Sequence, residues 1–336
     1  MFSLRYVARR MAQSILVIFI VYALTFFALF VLPGDPVDNK INNPVSPLPQ
    51  ETADGLRAYY QVDQPLYVQF FLHLGRLLRG DLGFSLTNGK PVSELVSQAL
   101  AQTLPLAGLA FALTVLLAFA IALTAVFAPV AWLRELAKAV PVVSISTPSF
   151  LLSYVLVVVF SFRLGWVSSI QDEGFKSLIL PAITLACGAA GALSQVLIRG
   201  LQKAAGEPFV TVLVAKGVPS SRIVLGHVLK NGSIPALTLL ALTVGELLAG
   251  SVIVETVFNR TGLGYFTYAS VRDQDTPTIE AIVLIVAVVY LSVNLVADLL
   301  YAALDPRILA HEAATRAPSK RRLGGRIKGI KEEVAA

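Results

Sequence analysis

Six stretches of this chain are too long and too apolar for a water-soluble core to absorb. Met11 to Leu32 runs about 22 residues almost without polar interruption. Thr103–Ala128, Ala139–Phe162, Leu178–Ile198, Ile234–Phe258 and Ile279–Leu304 repeat the pattern. About 20 apolar residues in a helix cross a hydrocarbon layer of roughly 30 Å. Lipid offers no partner to a backbone group outside a helix or closed barrel. The chain therefore reads as an all-α integral membrane protein with six transmembrane helices. Composition agrees: 56% of its 336 residues are hydrophobic and 14% charged, against about 25% charged in soluble domains. Its pI near 9.4 could suggest nucleic acid. The basic residues, however, sit beside apolar spans, as in cytoplasmic loops, so the expected partner is the lipid bilayer and not nucleic acid.

Charge also sets the expected orientation. With both termini in the cytoplasm, the 27 Lys and Arg residues divide 18 inside to 9 outside, as the positive-inside rule requires. The domain plan is then a cytoplasmic N-terminus (1–10), a six-span domain (11–308) and a basic tail (309–336). The tail, with Arg316, Lys320, Arg321 and Arg322 among its cations, reads as disordered and held near anionic lipid. The first apolar run is too long for a signal-peptide core and lacks a small-residue cleavage site. An outer loop (33–102) opens with Pro33-Gly34-Asp35-Pro36 and a proline-rich stretch. Within it, Leu66, Phe70, Phe71, Leu74, Leu77 and Leu78 recur at helical spacing, too short to span and suited to the membrane surface. This loop fits either a lid or docking surface, or packing that seals the outer mouth.

Between the fourth and fifth spans lies a cytoplasmic loop (199–233) that does not belong in lipid. It carries Lys203, Lys216, Arg222 and Lys230, opposed by Glu207. A helix-turn-helix is expected. Glu207 and Pro208 suit a first turn. Gly217 followed by Pro219 is a stop signal. Ser220 or Ser221 can cap the next helix, which presents Ile223, Val224, Val228 and Leu229 on one side. Charge alone fits an ordinary basic loop as well as a docking knob.

The catalytic patterns sought are missing. Gly89-Lys90 is followed by Pro91 instead of Ser or Thr, so there is no phosphate-cradling loop and no ATP hydrolysis by this chain. His73, His227 and His311 are scattered, without HExxH spacing, and no GxSxG elbow occurs. Cys187 is the single cysteine, which rules out an internal disulfide. Two residues inside spans stand out. Glu246 lies mid-span, where an acid is costly and faces a cavity or a partner. It could meet a cationic cargo group, or be protonated and hydrogen-bonded to a neighbouring helix. Pro148, with Ser149, breaks the third span, as a kink lining a path or as a packing kink. Glu255 and Glu280 sit near outer boundaries and read as solvated. Ala186–Ala192, nearly all small, reads as a helix–helix contact.

Several stretches occur in a fixed order: PGDP after the first span, QPLYVQF and RGDLG before the second, and Thr147-Pro148-Ser149-Phe150 in the third. Glu255-Thr256-Val257-Phe258 with Gly262-Leu263-Gly264 and the closing Leu304-Asp305-Pro306-Arg307 follow. Together they resemble the permease subunits of dipeptide, oligopeptide and nickel ABC importers. Ala215-Lys216-Gly217, with His227, Ile234 and Pro235, is similar to the EAA loop of that family; Thr211, Val212 and Leu213 stand where the family has Glu-Ala-Ala. The resemblance implies a type I ABC importer permease fold in a bacterial plasma membrane. It implies a second permease, two ATPase subunits and an extracytoplasmic binding protein as partners. ATP and Mg would sit on the ATPases and no cofactor in this chain. Glu207, Thr211, Ala215, Lys216, Gly217, Arg222 and His227 would couple to the ATPases, and Glu246, Pro148 and Ser149 would line the path. Cargo by this resemblance is a peptide, or else nickel or another small solute. The rival to an ATP-driven importer is an ion-driven transporter, which calls for inverted repeats and several deep ion ligands.

Overall fold

A computed structural model describes residues 4–30, 50–168 and 173–304. The PGDP stretch, most of the proline-rich segment, the closing DPR and the basic tail lie outside the described residues. So does the side chain of Asp298.

The described chain is helical throughout. In order it forms α1 (Leu4–Phe30), α2 (Gln50–Tyr60), α3 (Leu66–Leu77), α4 (Val92–Phe127), α5 (Ala131–Ser146) and α6 (Ser149–Leu156). Then come α7 (Lys176–Ala205), α8 (Pro208–Ala215), α9 (Ser220–Ile223), α10 (Leu229–Gly232), α11 (Ile234–Val257), α12 (Leu263–Arg272) and α13 (Thr276–Leu304). Among the described residues, α1, α4, α7, α11 and α13 are each long and apolar enough to cross a membrane. The sixth crossing exists only if α5 and the helix beginning at Ser149 are taken together.

That pair corrects the expected third span. Instead of one kinked helix, two segments meet at 101°. The cause is local: proline disfavours helical geometry in the residue before it. Thr147 is accordingly extended (φ −88°, ψ 114°) and Pro148 opens α6 as its cap. Past Leu156 the helix widens to π geometry from Val157 to Arg163.

Helix α7 is the axis of the fold. Two thirds of its most apolar window is buried, against less than a third for the other spans. It is packed by α4, α5, α10 and α11. The expected small-residue contact is present: Ala186, Ala189, Ala190 and Gly191 are buried. A Cβ added at Gly191 would lie 3.0 Å from the Pro141 carbonyl oxygen of α5, which shows how close the two backbones run.

The outer segment is more ordered than a loop. Helix α4 starts at Val92, eleven residues before the expected span. Its 36 residues reach about 54 Å, well beyond the hydrocarbon layer. The projecting turns bury Val92, Val96 and Ala99 against Leu263, Ala281 and Ile282. The expected surface helix is α3, but its apolar residues divide between two faces. Phe70 is buried against Tyr22, Phe26 and Leu284, and the Tyr22 hydroxyl donates to the Phe70 carbonyl at 2.7 Å. Tyr67, Phe71 and Leu78 are exposed. Gly80 and Gly83, both at φ +80°, turn the chain out of α3.

Candidate functional site

The hairpin α8–α10 stands as predicted, with its caps built differently. Glu207 is extended (φ −73°, ψ 147°) and serves as the cap itself, without a side-chain capping bond; Pro208 holds the first helical position. There a missing N–H is no loss. Helix α8 ends in a Schellman motif. The Gly217 N–H donates to the Val214 carbonyl at 2.9 Å and the Val218 N–H to the Leu213 carbonyl at 3.1 Å. Gly217 has φ +71°, a left-handed conformation that glycine adopts without steric cost. The next helix is capped by Pro219, not by Ser220 or Ser221, and again without a side-chain bond.

One face of the hairpin is welded to the core. Ile223 and Val228 are buried in the same cluster as Leu197, Leu201 and Ala204 of α7, with Val210, Leu213, Val218 and Leu229 packed against it. Ile223 and Val228 are five apart, a spacing that an α-helix would splay. The π stretch Val224–Val228 places such residues on one side. The other face is uncovered. Thr211, Ala215, Lys216, Gly217, Arg222 and His227 are all exposed, as are Val212, Val214 and Leu225. The predicted coupling residues of the hairpin are thus exposed together with apolar side chains, while Glu207 lies at its base. Lys203, Glu207, Phe209, Asn231 and Pro235 line a cleft of about 370 Å³ at its base.

Glu246 lies elsewhere, half-way along α11. It is exposed, in one stripe with Leu242, Ala249 and Ile253. Their spacing of three and four places them on one helix face. Among the described residues no helix covers that stripe, although α11 packs beside α6, the helix opened by Pro148 and Ser149. Pro148 is exposed and Ser149 half-buried.

Two acids expected to be solvated are buried, and both organise the outer side. Glu255 is fully inaccessible. It accepts from the Thr103 hydroxyl of α4 at 2.6 Å and from the Gly264 and Tyr265 N–H groups at 2.8 and 3.2 Å. Those amides are the first turn of α12, where a carboxylate meets unpaired donors and the positive end of the helix dipole. Only glycine fits at 262 and 264. A Cβ at Gly262 would overlap the Glu255 carboxylate, and one at Gly264 would lie 2.5 Å from the Val252 nitrogen. The Glu255 and Gly262-Leu263-Gly264 pattern was visible in the sequence, but which groups the acid meets depends on the fold.

Glu280, on α13, lies 3.7 Å from His73 Nδ1, with both side chains more than nine-tenths buried. They share a cavity of about 30 Å³ with Tyr22, Tyr60, Arg76 and Asp81. Arg76 stacks over the Tyr59 ring at 3.9 Å and donates to the Tyr59 carbonyl at 2.6 Å, a cation–π contact. Burial, then the hydrogen bond to Asp81, push the Tyr59 hydroxyl up to about 12, so it remains a donor. Asp275 accepts from the Ser85 hydroxyl and from the Leu86 N–H, the latter at 3.0 Å. The α2–α3 lobe is therefore fastened to α1, to α13 and to the α12–α13 turn.

Comparison with known proteins identifies the family. The family described as "Binding-protein-dependent transport system inner membrane component" matches residues 114–310, and its N-terminal companion matches residues 3–107. The glutathione transport system permease protein GsiC of Escherichia coli strain K12 is 33% identical over 305 residues. That covers 91% of this chain and 99% of the relative. GsiC of Salmonella typhimurium is 35% identical over the same length. Among solved structures, an amino acid ABC transporter with histidines covers 64% of this chain and 94% of its own at 18% identity, with a TM-score of 0.45. Matched across both of its parts, this chain belongs to the binding-protein-dependent inner membrane components of the peptide and nickel type: it is a multi-pass, non-catalytic permease subunit of an ABC importer.

Proposed function

We propose that this permease carries peptide-like cargo and takes its drive from ATPase subunits through the α8–α10 hairpin. The observation that carries the coupling assignment is the two-faced hairpin. One side is fixed to α7 by buried apolar residues, and the other offers Val212, Val214 and Leu225 beside Lys216, Arg222 and His227. A basic and apolar surface of this kind suits a protein cleft with acidic edges. ATP and Mg belong to those partner subunits. Support for peptide-like cargo comes from relatives whose names specify glutathione transport. The positive-inside distribution supports a cytoplasmic hairpin and termini in a bacterial plasma membrane.

In this reading the stripe around Glu246 faces the translocation path formed with a second permease, with Pro148 and Ser149 at its edge. An acid at mid-membrane is too costly to leave against hydrocarbon. A carboxylate there would meet the amine of a peptide-like cargo delivered by an extracytoplasmic binding protein. The cycle is alternating access, and it needs nucleotide states that hold the hairpin differently. The deciding experiment is Lys216→Glu in the complex purified from native membrane. Loss of ATPase subunits, or of ATP-dependent uptake, is the expected outcome. Retention of both would defeat the coupling assignment.

A further inference from the structure

The base of the hairpin is closed by a direct contact between two backbones. A Cβ built on Gly200 of α7 would overlap the carbonyl oxygen of Gly232, the last residue of α10. The reverse holds as well: a Cβ on Gly232 would lie 2.9 Å from the Gly200 carbonyl oxygen and 2.9 Å from Leu201 Cα. No side chain fits between them. The chain leaves α7 at Ala205, runs through the hairpin, and returns to touch α7 within two turns of where it left. Leu201 and Val228 seal the contact, both at 1% exposure or less.

We propose that the Gly200–Gly232 contact is the fulcrum of the hairpin, making α7, α10 and the start of α11 turn as one body. This rests on the coupling role proposed above. A hairpin open at its base would absorb a push at Lys216 by splaying, because two single connections resist bending poorly. One closed by backbone contact passes the displacement to α7, the most buried helix and the one against which α4, α5 and α11 pack. Close-packed interiors move as units and do not deform gradually. The hairpin's other glycines contrast with this pair: Gly217 and Gly226 have nothing within 4 Å of an added Cβ, and at Gly206 the nearest atom is the Lys203 carbonyl oxygen at 3.6 Å. Among these five glycines, only at the two of the base does an added Cβ meet another atom closer than 3.0 Å. Gly200 and Gly232 are thus positioning residues, acting on the path through α7.

The test uses the whole complex, with its ATPases and second permease, in vesicles. Gly200→Ala is expected to lower cargo moved per ATP hydrolysed on the order of tenfold, in the range of site-to-site couplings, while the ATPases still co-purify. Gly75→Ala, on α3 with nothing within 4 Å of an added Cβ, is expected to keep the wild-type ratio. A wild-type ratio in Gly200→Ala overturns the proposal. A second measurement does not depend on that variant folding. Lys203→Cys with Asn231→Cys, in a Cys187→Ser background, is bridged across the cleft by a short bis-maleimide. If α7 and α10 move together, the bridged complex transports at the unbridged rate; if bridging abolishes transport, the two helices separate during the cycle and there is no fulcrum. Failure of the coupling role itself reads out separately, as ATPase binding and uptake untouched by Lys216→Glu.

Discussion

At the residue scale, two positions carry predictions. Glu255 accepts three hydrogen bonds with no access to water. Removing a buried acceptor leaves donors unsatisfied, at about 1–3 kcal/mol each. Glu255→Ala is therefore expected to lower the melting temperature of the purified complex by several degrees and to expose the Asn259–Asp275 region to protease. Glu255→Gln, which keeps one acceptor oxygen, should fall between. An unchanged melting temperature for Glu255→Ala would contradict the buried assignment. Gly217 sits at φ +71°, and a side chain there costs about 1–2 kcal/mol by steric conflict in the left-handed region. Gly217→Val should loosen the end of α8 without displacing the core. Hydrogen exchange should speed up at Gly217 and Val218 and remain slow at Leu201.

At the scale of elements, the lobe α2–α3 is the part that sequence periodicity described least well. Besides the apolar packing of Phe70 on Tyr22, Phe26 and Leu284, it is fastened by single polar contacts between distant segments: Tyr22 to Phe70, Ser85 and Leu86 to Asp275, His73 beside Glu280. Asp275→Ala removes both acceptors for the 85–86 turn. That turn should become several-fold faster in hydrogen exchange while α4 below Thr103 stays protected. Equal exchange in both proteins would mean that the apolar cluster of Ala53, Leu56, Tyr60 and Leu86 holds the lobe alone. The break before Pro148 belongs to the same scale. Periodicity carried the span through it, because both halves are apolar, but the proline restricts Thr147 and the axis turns by 101°.

At the scale of the whole molecule, the exposed stripe on α11 is the feature that the described helices leave open. If Leu242, Glu246 and Ile253 border a water-filled path, cysteines placed there in a Cys187→Ser background should react with a membrane-impermeant maleimide in the assembled complex. Their reactivity should change when the ATPases are trapped with nucleotide. Cysteines at Leu16 or Leu24, exposed on α1, should stay unreactive if that face meets lipid. An unreactive Glu246→Cys in every state would place the stripe against a neighbouring helix.

The sequence alone determined the number and order of apolar segments, the helix-turn-helix between the fourth and fifth, and its stop at Gly217. These are short-range matters: length, periodicity and the backbone freedom of glycine act within a few residues. The family was legible for the same reason, since its stretches are local patterns in a fixed order. Only the tertiary structure decided that Glu255 and Glu280 are buried, that Gly200 meets Gly232, and that Glu246 shares an exposed stripe with Leu242 and Ile253. Each depends on which distant segment packs alongside. An acid near the end of an apolar run looks the same in sequence whether it faces water or the first turn of another helix.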